Sequence, residues 1–246
     1  MHYEKRGAGP ALVLVHGSFS DHATNWEFAT KTLEERFTVY ALARRGRGET
    51  PATVGHSIDD EGRDVAEVVL AIGEPVFLLG HSYGAQVALN AAARVPDRVR
   101  KLILYEPPWP SLLNAERLAV LESLAAGGDW SEFAYWFFQN ILEVPADELD
   151  AVRASEGWAP ILKDAAATLH DLRALAQYDF RPERFAALRM PVLMQTGTES
   201  PRHLWATDAL LGVLPDVREG ALAGQAHEGM TTAPELYARA VIEFLL

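Results

Sequence analysis

The chain contains no cysteine. That excludes disulfides, a thiol nucleophile and a thiolate metal site. It also lacks any apolar run long enough to span a bilayer. The N-terminal MHYEKRGAGPALVLVHG places charges ahead of one short apolar run and does not have a signal peptide's layout. A cytoplasmic protein is the expectation. A basic surplus is missing too: 34 Asp and Glu against 22 Lys and Arg give a formal charge of −12. Nucleic-acid binding needs a basic face, and an anionic membrane surface would repel this chain, so neither is expected as a partner. There is no internal repeat, no low-complexity tract and no Walker-type lysine loop, and GAGP near the start lacks a dinucleotide fingerprint. No His-Glu-x-x-His or similar spacing suggests a metal, so neither metal nor cofactor is expected.

What is present is a globular composition, with 49% hydrophobic and 23% charged residues. A chain of 246 residues can bury roughly 70–75% of its unfolded surface, enough for one large domain with an insertion. Short β-rich runs at 11–16, 37–42, 75–80, 101–105, 191–196 and 217–222 alternate with helical patterns, and a weaker strand lies in HYEKR (2–6). This rhythm predicts βαβ units and a mostly parallel sheet covered on both faces. Residues 59–72 and 83–95 read as helices. The final helix opens on TAPE, where Thr232 and Glu235 have capping-box spacing. From about 108 to 187 the strands stop, and helices rich in aromatics take over, including Trp130, Phe133, Trp136, Phe137 and Trp158.

GHSYG, residues 80–84, follows a strand and precedes a helix, the context of a G-x-S-x-G nucleophile elbow. The strand must turn sharply and hold Ser82 outward, while Gly80 and Gly84 remove side chains where strand and helix nearly collide. Tyr83 opens the helix, so its N–H can point at a developing oxyanion. A serine hydroxyl needs a base. His227, in LAGQAHEGM after the last strand, sits on a small-residue loop able to bend back over the sheet edge that carries Ser82. In LVLVHGSFS the useful groups are backbone: the N–H of Ser18, or of Phe19, could complete the oxyanion hole. His16 and His81 read as structural, and RRGRG (44–48) as a turn in an acidic protein rather than a phosphate site.

The ordered set HGSFS, RRGRGET, GHSYG, a helical insertion, PVLMQTG and GQAHEG resembles the α/β-hydrolase superfamily along nearly the whole chain. The resemblance implies a serine–histidine–acid triad using Ser82 and His227. It also implies a core formed by residues 1–107 and 188–246, with a helical cap over 108–187 between what the family counts as strands 6 and 7. Most relatives carry an aspartate three residues after the glycine ending the strand from Pro191; here that position holds Ser200, with Glu199 beside it. Glu106, which ends KLILY ahead of two prolines, should emerge at the same sheet edge as Ser82. Haloalkane dehalogenases and certain fungal-toxin lactonases take their acid from the equivalent strand end. Glu106 and Glu199 both keep the order serine, acid, histidine, so order does not choose between them; the strand-end position makes Glu106 the favoured acid and Glu199 the alternative. The expected function is cleavage of a carboxylic ester or lactone with a substantially apolar portion, acting on a small molecule, with Phe19, Trp26, Trp109 and Trp136 as pocket candidates. Two other classes stay open: a C–C hydrolase or cofactor-free lyase on the same scaffold, and a ligand-binding receptor with a slow triad.

Overall fold

A computed structural model describes residues 1–246. Seven strands form one sheet: β1 (Tyr3–Arg6), β2 (Ala11–Val15), β3 (Thr38–Leu42), β4 (Val76–His81), β5 (Val99–Tyr105), β6 (Val192–Gly197) and β7 (Val217–Leu222). Their order is β1-β3-β2-β4-β5-β6-β7, with β1 antiparallel to β3 and every other pair parallel. Alternate side chains feed two apolar layers. Val13, Val15 and Leu78 enter one, while Leu12, Leu14, Phe77 and Leu79 enter the other. Burial on both faces is why these strands read as continuous apolar runs and not as alternating ones.

Eleven helices accompany the sheet: α1 (Thr30–Leu33), α2 (Ile58–Ile72), α3 (Tyr83–Arg94), α4 (Ala115–Ala126), α5 (Trp130–Asn140), α6 (Ala146–Arg153), α7 (Trp158–Lys163), α8 (Ala165–Ala176), α9 (Thr207–Leu211), α10 (Gly229–Thr232) and α11 (Pro234–Leu245). Helices α4 to α8 follow one another between β5 and β6, the fifth and sixth of this chain's seven strands. No helix is long and apolar enough to cross a membrane.

Two helix starts differ in their chemistry. Ser57 and Asp60 form a reciprocal capping box on α2, each side chain bonded to the other's backbone N–H. The box expected from Thr232 and Glu235 does not form. Pro234 takes the first position of α11, and Thr232 closes the preceding turn by donating to Gln225 Oε1 and Glu228 O. The missing proline N–H satisfies one of the helix's unpaired donors by removing it.

Register fixes what the sheet presents at its C-terminal edge. His81 lies beside Tyr105, and Tyr105 beside Gln195. The next residues continue the ladder: Ser82 N–H donates to Tyr105 O (2.8 Å) and Glu106 N–H to Gln195 O (3.2 Å). Ser82 and Glu106 therefore leave adjacent strands at one level.

Candidate active site

Ser82 has φ 54° and ψ −126°, a strained conformation for a residue with a side chain. Two glycines make the turn possible. A Cβ on Gly80 would lie 2.4 Å from Gly84 O, and one on Gly84 would lie 2.3 Å from both His16 O and Val15 O. The elbow is thus wedged between β4, α3 and the end of β2. Ser82 and His227 line one cleft, and the Ser82 hydroxyl makes no hydrogen bond to protein. Such serine–base pairs often tighten only when substrate is bound.

His227 is oriented from several sides. Its Nδ1 lies 2.6 Å from Glu106 Oε2, and Glu106 is fully buried. The other carboxylate oxygen, Oε1, accepts the N–H of Gly197 at 2.8 Å. Glu106 itself turns out of the sheet with φ 47°, another strained non-glycine residue. Trp205 stacks on the imidazole, with centroids 4.4 Å apart and planes 8° from parallel. The histidine loop is pinned by Tyr105: its hydroxyl donates to Ala226 O and accepts Gly229 N–H at 3.2 Å. His81 adds a further tie, its Nε2 lying 3.0 Å from His227 O. Burial, and then the proximity of His227, hold His81 well below the ordinary histidine pKa.

Glu199 is not part of this arrangement. It is exposed, and its carboxylate accepts the hydroxyl of its neighbour Thr198 at 3.1 Å. Ser200, at the position where most relatives keep an aspartate, has a buried hydroxyl without a partner.

On the other side of Ser82, the N–H of Ser18 is unpartnered, whereas Phe19 N–H donates to Thr168 Oγ1 at 2.8 Å. Tyr83, as the first residue of α3, has no intrahelical acceptor for its N–H. Two free amides therefore flank the serine. His16 lies behind them with a defined tautomer: its Nδ1–H donates to Gly17 O (2.8 Å) and its Nε2 accepts Arg44 N–H (3.2 Å). Burial and the two nearby arginines keep it neutral, well below the ordinary histidine value.

Phe19 lines the cleft together with Leu113, Phe137, Phe138, Ile141, Leu142 and Leu172. The three candidate tryptophans do not. Trp26 is buried in the layer with Leu12 and Leu33, Trp109 packs edge-on against Phe180, and Trp136 is half-buried against the larger apolar core and does not line the cleft. The cleft-facing positions of α5 are Phe137 and Phe138, one and two residues further along, and an aromatic-rich segment does not announce which of its faces will be covered.

RRGRG is structural throughout. Arg44 and Arg47 are buried on Asp171, and Arg45 pairs with Asp64 at 2.6 Å. Two groups of acids and histidines lie close enough to suggest ligand sets: His81, His227 and Glu228, and His56, Glu61 and Asp171. Arg44 already occupies Glu61 and Asp171, and His81 Nε2 and His227 Nδ1 are already spent, so neither group offers a free ligand set.

A doubly covered, mostly parallel sheet with this elbow defines an α/β hydrolase, and the chain belongs to the alpha/beta hydrolase family, whose model matches residues 12–240. It is 28% identical over 261 residues to the 2-(acetamidomethylene)succinate hydrolase of Mesorhizobium japonicum, covering 100% of this chain and 91% of that protein. Among solved structures it is similar to an alpha/beta hydrolase from Sphaerobacter thermophilus, with a TM-score of 0.86 and 28% identity, covering 100% of this chain and 96% of the other. The enol-lactonase of Burkholderia xenovorans shares the fold at a TM-score of 0.80 and 20% identity, covering 99% and 95% of the two chains.

Proposed function

We propose that the protein is a serine hydrolase that cleaves small, neutral carboxylic esters or lactones through an acyl-enzyme. The observation that carries this reading is buried Glu106, held 2.6 Å from His227 Nδ1, in a cleft that His227 shares with Ser82. The pairing keeps the proton on Nδ1 and leaves the Nε2 lone pair for catalysis. Nε2 takes the Ser82 proton as Oγ attacks the carbonyl carbon, and the charge on the carbonyl oxygen falls to the amides of Ser18 and Tyr83. Collapse of the tetrahedral intermediate breaks the bond to the alkoxy oxygen, which receives the proton from Nε2. Water, deprotonated by the same nitrogen, then releases the acyl group and regenerates Ser82. Glu106 supports the imidazolium in both steps. One oxyanion donor is typically worth about 3–4 kcal/mol of barrier.

The substrate class follows from the walls. The cleft contains no lysine or arginine, and its acidic residue at the rim is Glu228. The buried arginines behind it are neutralised by Glu61 and Asp171. A dicarboxylate of the kind named for the Mesorhizobium relative would find no counter-charge here, whereas a neutral acyl group meets phenylalanine and leucine. The cleft is partly open to solvent, and its cavity volume is about 40 Å³. A cavity of roughly 150 Å³ holds a benzene, so this one favours acyl portions of only a few heavy atoms. Helices α4–α8, with their surrounding loops, act in this reading as the cap over residues 108–187.

A fluorophosphonate probe and a panel of p-nitrophenyl esters test the proposal, with Ser82→Ala as the blank. Covalent labelling of Ser82 and a burst on the acetate ester are expected. Turnover should drop at least about tenfold from acetyl to octanoyl, and by a similar factor for a succinyl half-ester. Unlabelled protein without ester turnover would sink the reading.

A further inference from the structure

The two residues with free amides beside Ser82 share a second property. Their side chains end on one buried ionic network. Ser18 Oγ donates to Asp171 Oδ2 at 2.9 Å, and Tyr83 OH donates to Glu61 Oε1 at 3.0 Å. Arg44 joins the two acids: its Nη1 reaches Glu61 Oε2 and Asp171 Oδ1, each at 3.0 Å, and its Nη2 reaches Asp171 Oδ2 at 2.7 Å. The same side chain holds the backbone of the loop, with Nε on His16 O and Nη2 on Gly17 O, both at 2.9 Å. Arg47 closes the far side of Asp171 at 2.9 and 2.6 Å. Arg44, Glu61 and Asp171 are fully buried and Arg47 almost so.

Asp171 belongs to α8, 153 residues from Ser18. One turn earlier on that helix, Thr168 accepts the Phe19 N–H. The loop needs such holding, because Phe19 has φ 54°, an unfavourable region for a bulky side chain. Its ring is clamped by Phe137 and Phe138 of α5, at centroid distances of 5.0 and 4.9 Å.

We infer that Thr168 and Asp171 are positioning residues for the oxyanion hole, so that the helical segment between β5 and β6 sets the geometry of the amides that stabilise the transition state. The inference rests on the proposed serine-hydrolase reading, in which Ser18 and Tyr83 hold the oxyanion. Thr168 consumes the competing amide of Phe19 and fixes the left-handed turn after Ser18. Asp171 fixes the Ser18 side chain, and through Arg44 and Glu61 shares its anchorage with Tyr83. Phosphate or carboxylate binding is not the purpose of these arginines, since every charge on them is already answered within the protein.

Ser18→Ala and Thr168→Val test the idea. The first removes the tie to Asp171, and the second the tie to Phe19 N–H together with a 3.3 Å contact from Arg47 Nη2. Neither strands a buried charge, because Arg47 keeps Asp171. Each should lower kcat on p-nitrophenyl acetate about tenfold with KM within about twofold, the signature of a lost transition-state interaction. Each should weaken binding of a trifluoromethyl ketone, whose hemiketal oxygen occupies the hole, by the same factor. Thr168→Ser keeps the hydroxyl and should recover most of the loss. Variants that lose thermal stability while kcat and ketone affinity stay within about twofold would overturn the positioning role. So would a rise in KM at constant kcat. Fluorophosphonate labelling of the unaltered protein separates the two levels. An unlabelled, inactive protein refutes the hydrolase reading and this inference with it, while a labelled, active protein with indifferent variants refutes the positioning alone.

Discussion

Glu106 and Asp171 are both fully buried carboxylates near the same cleft, yet their surroundings are opposite in kind. Asp171 has two guanidinium groups and a hydroxyl on its two oxygens. The arginines hold its carboxyl far below the usual carboxylate range against the opposing effect of burial. Glu106 has one backbone amide and one imidazole, and no permanent cation. Burying a charge without a fixed partner is costly, and proteins seldom keep one without a use for it. Here the difference separates two tasks. Asp171 sits in a closed circuit that holds shape at constant charge, while Glu106 faces a ring that can gain a proton. One carboxylate keeps geometry constant and the other responds when charge appears.

Substitutions should split the two along these lines. Replacing Glu106 by Gln removes support for the imidazolium and frees the wrong tautomer, so kcat should fall by on the order of 10³–10⁴. Stability should stay within about 1 kcal/mol, because no cation is stranded. Glu199→Gln should leave kcat within about twofold, and steady-state kinetics with urea denaturation would read all three values. Equal losses for the two glutamates would erase the distinction. Asp171→Ala should do the reverse on the folding axis, costing about 3–5 kcal/mol by leaving Arg47 buried without a counter-ion and Arg44 with Glu61 alone. A urea midpoint matching that of the unaltered protein would contradict the network's closed character.

The smallest effect is the pH dependence of folding. His16 and His81 have native pKa values below their unfolded ones, chiefly through burial. The unfolded chain therefore binds protons that the native state refuses at these two sites, and their contribution to stability should decline as pH falls below about 6.5. His56 opposes this in part, because against the effect of burial Glu61 raises its pKa. Asp171 and Glu61 have depressed native values, so their contribution is present above about pH 4 and is lost as pH falls below it. Melting temperatures from pH 8 to pH 3 should show these two successive declines. A flat profile from pH 7.5 to pH 5 would place the histidines outside the native proton balance.

How far the sequence reached depended on the range of the interactions involved. The elbow was legible because its constraints are local: a strand, two glycines at fixed offsets and a helix start within a few residues. Glu106 could be placed because a strand terminus followed by proline fixes its address in the sheet, and because Ser200 stands where an aspartate would otherwise be sought. Trp205 gave no signal, since its value lies in stacking on a residue 22 positions away across the fold. Asp171 and Thr168 look like ordinary helix residues until α8 is seen docked on the Ser18 loop. The tryptophans were over-read for a related reason. Size and aromaticity predict burial, but only packing decides whether the covered face is a core or a cleft. At α11, the choice went to Pro234 over Thr232, a competition between two valid start signals three residues apart.

Gly197 carries a consequence for how this lineage can drift. Its N–H serves Glu106, and a side chain there would lie 2.3 Å from Gln225 O and 2.6 Å from Ala226 O, in the loop that bears His227. Next to it, Thr198 and Glu199 are exposed, yet Thr198 Oγ1 accepts the Gly224 N–H at 2.8 Å and Glu199 N–H donates to Gln225 O at 2.9 Å, so both still brace the loop that leads to His227. With Glu106 as the acid, as proposed, the turn after β6 carries no catalytic carboxylate, while the residue that begins it is confined to glycine. Related chains that keep the acid on β5 should hold glycine at position 197 and tolerate other side chains in place of the Glu199 carboxylate.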